Sequence, residues 1–488
     1  MNRFAQTTLW YTLAGLVGPI VALALTPLYT RTIGVAGYGT VDVLLTLWQG
    51  VFTVTLWGMA TVLAGLYSRS QSEDQRQRVV LSVGVAVVLL ALLCGGGVYG
   101  FSSWIAKLTY RAEASAALPY FVAALPFAVI YTTLLQVFRL RNDIRRTVVS
   151  MLALVLVTAA TRIGLVVVAG LGVLGMIQAA ALTNVLMALF TVTIGWQIIG
   201  TRIDAAVIKT FYRSGLPLLP VSLAGWALLY ADRWLLVPHV SPIALGQYAL
   251  AVLLASLLAF VIEPLKNAWQ PVALQLRRCD EDAFLALSYR LYQSLALLFV
   301  GGLVLSTPAL LWVIGADDAL AAAPYVLPLA SMPILGGVQL MLGIRAIRDG
   351  RTTVFGWSAV SAAVVNIVLN LVFIPQYGVN AAAWATAAAV LSATIVLGMR
   401  ERATARALRI GGGLWLVALW GLCLEWWVVY GAAWTNGVAL LLLVIGTIVR
   451  AWPALIQWRQ LSSGIEPQAD HTGMPSEVVV QREPSVWE

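Results

Sequence analysis

Apolar residues run along this chain in long unbroken blocks, and the charged residues gather in the short gaps between them. No block alternates polar and apolar with a period of two, so strands of a membrane barrel, about 10 residues each, are excluded. Blocks of about 20 apolar residues match the length an α-helix needs to cross the hydrocarbon of a bilayer. The pattern predicts crossing helices over 8–29, 39–66, 79–101, 119–138, 147–169 and 173–199, and then over 215–237, 242–265, 284–314, 321–344, 353–374, 379–398, 411–430 and 434–451. The first block is longer than a signal-peptide core and continues into Tyr29, so it is read as a crossing helix and not as a cleaved leader.

Composition agrees. The 488 residues are 60% hydrophobic and 10% charged, with a mean hydropathy of +0.88, which a water-soluble domain of this length does not tolerate. The fold class is therefore an all-α polytopic membrane protein with about 14 transmembrane helices. The basic residues orient it. With Met1 on the cytoplasmic side, 25 of the 30 Lys and Arg fall in inside connectors, three (Arg31, Lys107, Arg111) lie outside, and two (Arg162, Arg233) lie within helices. This positive-inside bias places both termini in the cytoplasm and accounts for the net charge of +9, so a nucleic-acid partner is not implied. A bacterial inner membrane is the expected setting. Three cysteines, two in predicted spans, make no disulfide or metal framework, and the polar tail 462–488 reads as disordered.

Two halves of the chain echo one another. The connector "RLRNDIRRT" (139–147) and the connector "RAIRDGRTT" (345–353) share R-x-x-x-D-x-R-x-T at an offset of 206. "AALPYF" (116–121) pairs with "AAAPYV" (321–326), and Gly172 aligns with Gly378. Two parallel six-helix units follow, spans one to six in 1–200 and seven to twelve in 201–400, with spans 13 and 14 in 401–461 outside the repeat. Parallel repeats are the arrangement of transporters whose halves rock around a central cavity near the midplane. The register makes Arg31, in "LYTRTIG", an approximate mate of Arg233, in "LLYADRW". Pro19 and Pro27 in span one, and Pro217 and Pro220 in span seven, mark those helices for breaks that line a substrate path.

Charges inside a membrane helix cost about 2.5 to 3.5 kcal/mol on insertion scales, so each one needs a reason. Arg162 sits well inside span five with no acid three or four residues away. It calls for a distant carboxylate or an anionic substrate. Asp232 and Arg233 are neighbours about 100° apart on their helix, which makes them poor partners for one another. Arg233 is expected to meet either a cross-half ion pair, with Asp42 and Arg31 as candidate members, or an anion in the cavity wall. Glu263 and Lys266, at i and i+3, can neutralise each other as an interfacial pair.

No G-x-x-x-x-G-K-[ST] loop is present and only two histidines occur, so a phosphate-loop ATPase and a His-based metal or catalytic centre are not expected. Outside connectors are short, the longest about 17 residues (102–118), which counts against a membrane-bound glycan polymerase or ligase needing a large catalytic loop.

The stretches "LYTRTIGVAGYGTVDVLLTL" (28–47) and "SGLPLLPVSLAGWALLYADRWLL" (214–236), with "LGQYALAVLLASLL" and "AWQPVALQL", resemble the polysaccharide transport family. These are the Wzx-like O-antigen and exopolysaccharide flippases of the multidrug/oligosaccharidyl-lipid/polysaccharide superfamily. The resemblance covers nearly all of 1–400. It implies two six-helix lobes and a substrate made of a polyprenyl-diphosphate-linked oligosaccharide carried to the outer leaflet, with membrane lipids and polysaccharide polymerase machinery as further partners. Arginine suits such a head group because its planar fork matches phosphate. Arg162, Arg233 and Arg31 are then the substrate-binding candidates. Asp42, Asp232, Glu263 and Lys266 are the candidates to balance charge or to carry a coupling H⁺ or Na⁺, and no cofactor is called for. A multidrug or metabolite antiporter of the same superfamily is the nearest alternative, and a glycan polymerase or ligase a more distant one.

Overall fold

A computed structural model describes residues 3–102, 112–275, 278–351 and 353–408. The predicted spans 13 and 14 and the polar tail lie outside the described residues. All regular structure among the described residues is helical, and eleven stretches are long and apolar enough to cross a membrane. The first of them, Val17–Arg69, is 53 residues long and takes in the second predicted span whole and the first from Val17 onward. Twelve crossings are thus accounted for.

Helix α1 (Arg3–Leu56) runs through Pro19 and Pro27 and breaks at Gly34, whose φ of 74° and ψ of 164° leave the helical region. A residue with a Cβ would be strained there, so glycine sets the boundary between spans one and two. The second span does not continue to residue 66 as predicted. It stops at Trp57 and Gly58, both at positive φ, and restarts as α2 (Met59–Arg69). The Trp57 indole N–H donates to the Tyr212 carbonyl at 3.0 Å, which pins the break. Helices α3 (Glu73–Gly100), α4 (Ala112–Leu140), α5 (Ile144–Arg162) and α6 (Gly172–Gly195) follow. Ser72 and Asp143 cap α3 and α5 by accepting backbone N–H bonds from Gln75 and Arg146, the role their short polar side chains favour.

The seventh span starts later than predicted. A separate amphipathic helix, α7 (Ala205–Gly215), comes first, capped by Asp204. It buries Phe211 and half-buries Val207, Ile208 and Tyr212 against α2 and α3, while Lys209, Thr210 and Arg213 stay exposed. A short 3₁₀ turn then leads into α8 (Leu219–Leu236), with Pro220 at the start of the helix, where its missing N–H costs nothing. The predicted eighth span is two helices, α9 (Pro242–Ser256) and α10 (Ala259–Gln275). Helices α11 (Arg278–Leu320), α12 (Ala323–Leu342), α13 (Ile344–Arg348), α14 (Thr353–Tyr377), α15 (Val379–Arg400) and α16 (Arg402–Ala407) complete the described chain.

Buried side chains form one large cluster over 236–408, joined by Val35 and Val43 of α1, and smaller clusters among residues 29–211. The two sets meet where α1 packs against α8, α9 and α11. At their tightest point Gly39 and Gly246, 207 positions apart, bring the backbones of α1 and α9 into contact, and a Cβ on Gly246 would overlap the Val35 carbonyl. Large apolar residues such as Leu93, Leu156, Val168, Leu189 and Leu371 are exposed on the outer faces, as lipid-facing positions should be.

The charged connectors lie at the opposite end of the bundle from Gly34. In the first half, Glu73 at the start of α3 takes Arg141 from the connector after α4. In the second half, Glu281 and Asp282 near the start of α11 take Arg345 from the connector after α12. Arg348 joins at 3.0 Å from Glu281. Each connector thus forms a clasp with the start of a helix, through Arg141 in the first case and Arg345 with Arg348 in the second, although Arg141 is not one of the positions the motif shares.

Candidate functional site

The polar groups inside the bundle collect where α1 crosses α8 and α5. Asp42 lies two turns into the second segment of α1 and is 29% exposed, whereas Arg233 and Asp232, near the end of α8, are 5% and 2% exposed. Arg233 Nε donates to Asp42 Oδ2 at 3.0 Å, Nη1 donates to Asp232 Oδ1 at 2.9 Å, and Nη1 also donates to the Leu229 carbonyl at 2.6 Å. The rings of Tyr230 and Tyr248 lie 5.5 and 5.4 Å from the guanidinium, within range of a cation–π contact. Beside this cluster, the Trp226 and Trp234 indoles both donate to Thr46, at 3.2 Å each. Together with Gly39 and Gly246, these contacts seal the two halves against each other at the end of the bundle away from the basic connectors.

Two sequence expectations need correction. Asp232 and Arg233 are partners after all. Their Cβ atoms diverge, but the Arg side chain is long enough to curl back toward its own carboxylate, and Asp232 Oδ1 also accepts the Arg233 backbone N–H at 2.8 Å. Arg31 does not join the cluster. It is exposed, and its one bond among the described residues runs to the Val313 carbonyl at 3.4 Å, so sequence register alone overstated its likeness to Arg233. The cross-half pair of Arg233 with Asp42 is found as expected, and so is the pairing of Lys266 with Glu263, at 2.7 Å on a partly exposed face of α10.

Asp232 opens onto a buried polar chain that sequence reading missed. Tyr248 donates to Asp232 Oδ2 and lies near Thr386. The Asn366 amide donates to Thr386 at 3.2 Å, and Asn370 donates to Asn366 at 3.0 Å. The signal was present as two Asn four residues apart in an apolar helix, which places both on one face.

Arg162 is the contrasting case. It closes α5 at the point where the backbone turns into a π-helical segment, Ile163–Val168, a local widening that is frequent at functional sites. Its Nε is buried and has no hydrogen-bond partner among the described residues. The Tyr29 hydroxyl, on a residue 2% exposed, is likewise buried and unpaired, and it lies within electrostatic reach of Arg162. Tyr38, beside Thr26, lies within electrostatic reach of both Arg162 and Asp42. Arg162 Nε and the Tyr29 hydroxyl are two of fourteen buried polar side-chain atoms without a hydrogen-bond partner among the described residues, and they are set apart by lying within electrostatic reach of one another inside the bundle, where an acceptor could serve both. Among the described residues no cluster of His, Cys, Asp and Glu suited to a metal ion occurs.

Residues 4–276 match the family model described as "Polysaccharide biosynthesis protein", more than half of the chain, and the chain belongs to that family. No curated protein matches the sequence. Among solved structures, the lipid II flippase MurJ in an inward closed conformation is similar, with a TM-score of 0.68 at 15% identity, over 93% of this chain and 99% of that one. An inward-facing multidrug resistance MATE family transporter of the MOP superfamily gives a TM-score of 0.63 at 15% identity, over 82% of this chain and 99% of that one. An outward-facing transporter of the same kind gives 0.55 at 15% identity, over 83% and 97%. At such identities the likeness shows the fold alone, which this chain shares with those solved structures.

Proposed function

We propose that this member of the polysaccharide biosynthesis family is a flippase that carries a polyprenyl-diphosphate-linked oligosaccharide across the bacterial inner membrane by alternating access, for assembly of a surface polysaccharide. The observation that carries the reading is the Arg162 site: a half-buried guanidinium and the Tyr29 hydroxyl, both with unfilled donors inside the bundle. A diphosphate supplies what they lack, because its oxygens accept charge-assisted hydrogen bonds and its charge offsets the arginine. The lipid tail stays in the bilayer while the head group rides between the halves. With the basic connectors in the cytoplasm, the seal around Arg233 and Gly246 closes the periplasmic side, so the substrate enters from the inner leaflet.

Arg162 is therefore the ligand residue of choice. Arg233, already surrounded by Asp42, Asp232 and Leu229, serves the seal, and Arg31 is left as a rim contact. Asp42 and Asp232 balance the charge of Arg233, and either of them, or Glu263 beside Lys266, offers a carboxylate for a coupling H⁺ or Na⁺. A carrier of cationic compounds would call for an acid in the cavity without a basic partner. Here Asp42, Asp232 and Glu263 each hold a basic partner, which favours the anionic lipid.

The test is a leaflet assay in proteoliposomes with a fluorescent polyprenyl-diphosphate sugar. Protein-dependent movement is expected for the natural chain and loss of it for Arg162→Ala that inserts normally. No movement with the natural chain overturns the reading.

A further inference from the structure

We infer that Asp42 changes partner during transport, leaving Arg233 for Arg162 when the seal opens and so displacing the substrate's anionic head group from Arg162. The inference rests on the proposed anion site and adds to it a release step driven by a residue of this chain.

Asp42 holds one basic partner across the interface, and a second guanidinium lies on the helix packed beside it in its own half. Across the interface stands Arg233, held at 3.0 Å through Oδ2 alone, while Oδ1 of Asp42 makes no bond among the described residues. On its own side stands Arg162. Helix α5 packs against α1, and Tyr38, one turn before Asp42, lies within electrostatic reach of both groups. Val41, next to Asp42, packs with Val166 and Met176, so this stretch of α1 is fastened to the elements that carry Arg162.

The two arginines differ in what they lose when the halves part. Arg233 keeps Asp232, the Leu229 carbonyl and the two tyrosine rings, all on its own half. Asp42 keeps nothing. A carboxylate in the bundle that has lost its cation is unfavourable, and in its own half Arg162 offers an unfilled Nε on the adjoining helix. If Arg162 then holds a diphosphate, Asp42 and the diphosphate compete for one guanidinium, and opening of the seal lowers affinity for the anion. In the sealed state Asp42 is occupied by Arg233, which leaves Arg162 free to load. Loading and release thus alternate without an added ligand, because one carboxylate has a different partner in each state.

The experiment measures binding of a fluorescent polyprenyl diphosphate to the full chain in nanodiscs, together with translocation in proteoliposomes. Arg233→Gln releases Asp42 and is expected to weaken binding about tenfold, which corresponds to about 1.4 kcal/mol. Adding Asp42→Asn to that variant is expected to restore binding to within about twofold of the natural chain. If Arg233→Gln binds as the natural chain does, or if the double variant stays weak, the exchange is overturned. Asp42→Asn alone, a near-isosteric change that leaves Arg233 on Asp232, is expected to keep full binding and to slow translocation about tenfold. Weakened binding or unchanged translocation in that variant also overturns it. Failure of the underlying anion site looks different: then the natural chain itself does not bind the probe, or Arg162→Gln binds as well as the natural chain.

Discussion

Arg233 Nε lies 3.0 Å from Asp42 Oδ2, and this one bond joins residues 191 positions apart in sequence and ties the two halves of the chain. Behind it, Asp232 is 2% exposed and has Arg233 as its ionic partner. Removing one member of a buried pair leaves the other charge uncompensated, at a cost of about 3 kcal/mol or more. Arg233→Gln is therefore expected to lower the thermal unfolding midpoint in detergent. Asp232→Asn together with Arg233→Gln removes both charges and is expected to recover at least half of the loss. Purely additive losses in the double variant would show that the pair is not coupled.

Tyr29 offers a test in which stability and activity move apart. Its hydroxyl is buried without a partner. An unsatisfied buried hydroxyl is a burden to the fold, so Tyr29→Phe is expected to leave the unfolding midpoint unchanged or slightly raised. If the hydroxyl serves a substrate acceptor beside Arg162, transport falls several-fold in the same variant. A drop in stability with transport intact would assign the hydroxyl a structural partner instead.

The approach of α1 to α9 depends on Gly246, whose added Cβ would overlap the Val35 carbonyl. Backbone cannot yield as a flexible side chain does, so Gly246→Ala is expected to force the seal apart and to cost about 1 to 3 kcal/mol. A cysteine placed at Val43, which is buried where α1 meets the second half, then gains reactivity toward a membrane-impermeant thiol reagent. Gly65→Ala is the matched control, because nothing lies within 4 Å of an added Cβ there. It is expected to be neutral or to stabilise α2 by up to about 1 kcal/mol.

At the other end of the bundle, Glu281 and Asp282 make unequal contributions. Glu281 is 5% exposed and faces Arg345 and Arg348 at 3.2 and 3.0 Å, whereas Asp282 is 70% exposed. Glu281→Gln leaves two arginines without their shared buried anion and is expected to reduce the yield of folded protein. Asp282→Asn, at a solvated site, is expected to stay within about 0.5 kcal/mol of the natural chain. Equal effects would mean that the clasp works through surface charge alone.

The sequence by itself determined the medium and the helix class. Blocks of about 20 apolar residues leave no alternative to crossing helices, because unpaired backbone groups are excluded from hydrocarbon. The charge asymmetry of the connectors and the motif shared by 139–147 and 345–353 are equally local facts, legible without any contact. Arg162 stood out for the same reason: an arginine deep in an apolar helix, with no acid a turn away, has to look outside its helix.

Only the tertiary structure decided which groups those charges meet. Angular separation on α8 predicted that Asp232 and Arg233 would part, yet the flexible guanidinium reaches back, and Asp42 from a remote helix completes its shell. Register predicted that Arg31 would stand with Arg233, and packing left it exposed at the Val313 carbonyl. The π turn after Arg162 and the unfilled Tyr29 hydroxyl beside it have no sequence signature, since both arise from how α5 is pressed against α1. Helix formation is written in nearest neighbours along the chain, whereas the partner of a long polar side chain depends on which helices pack together.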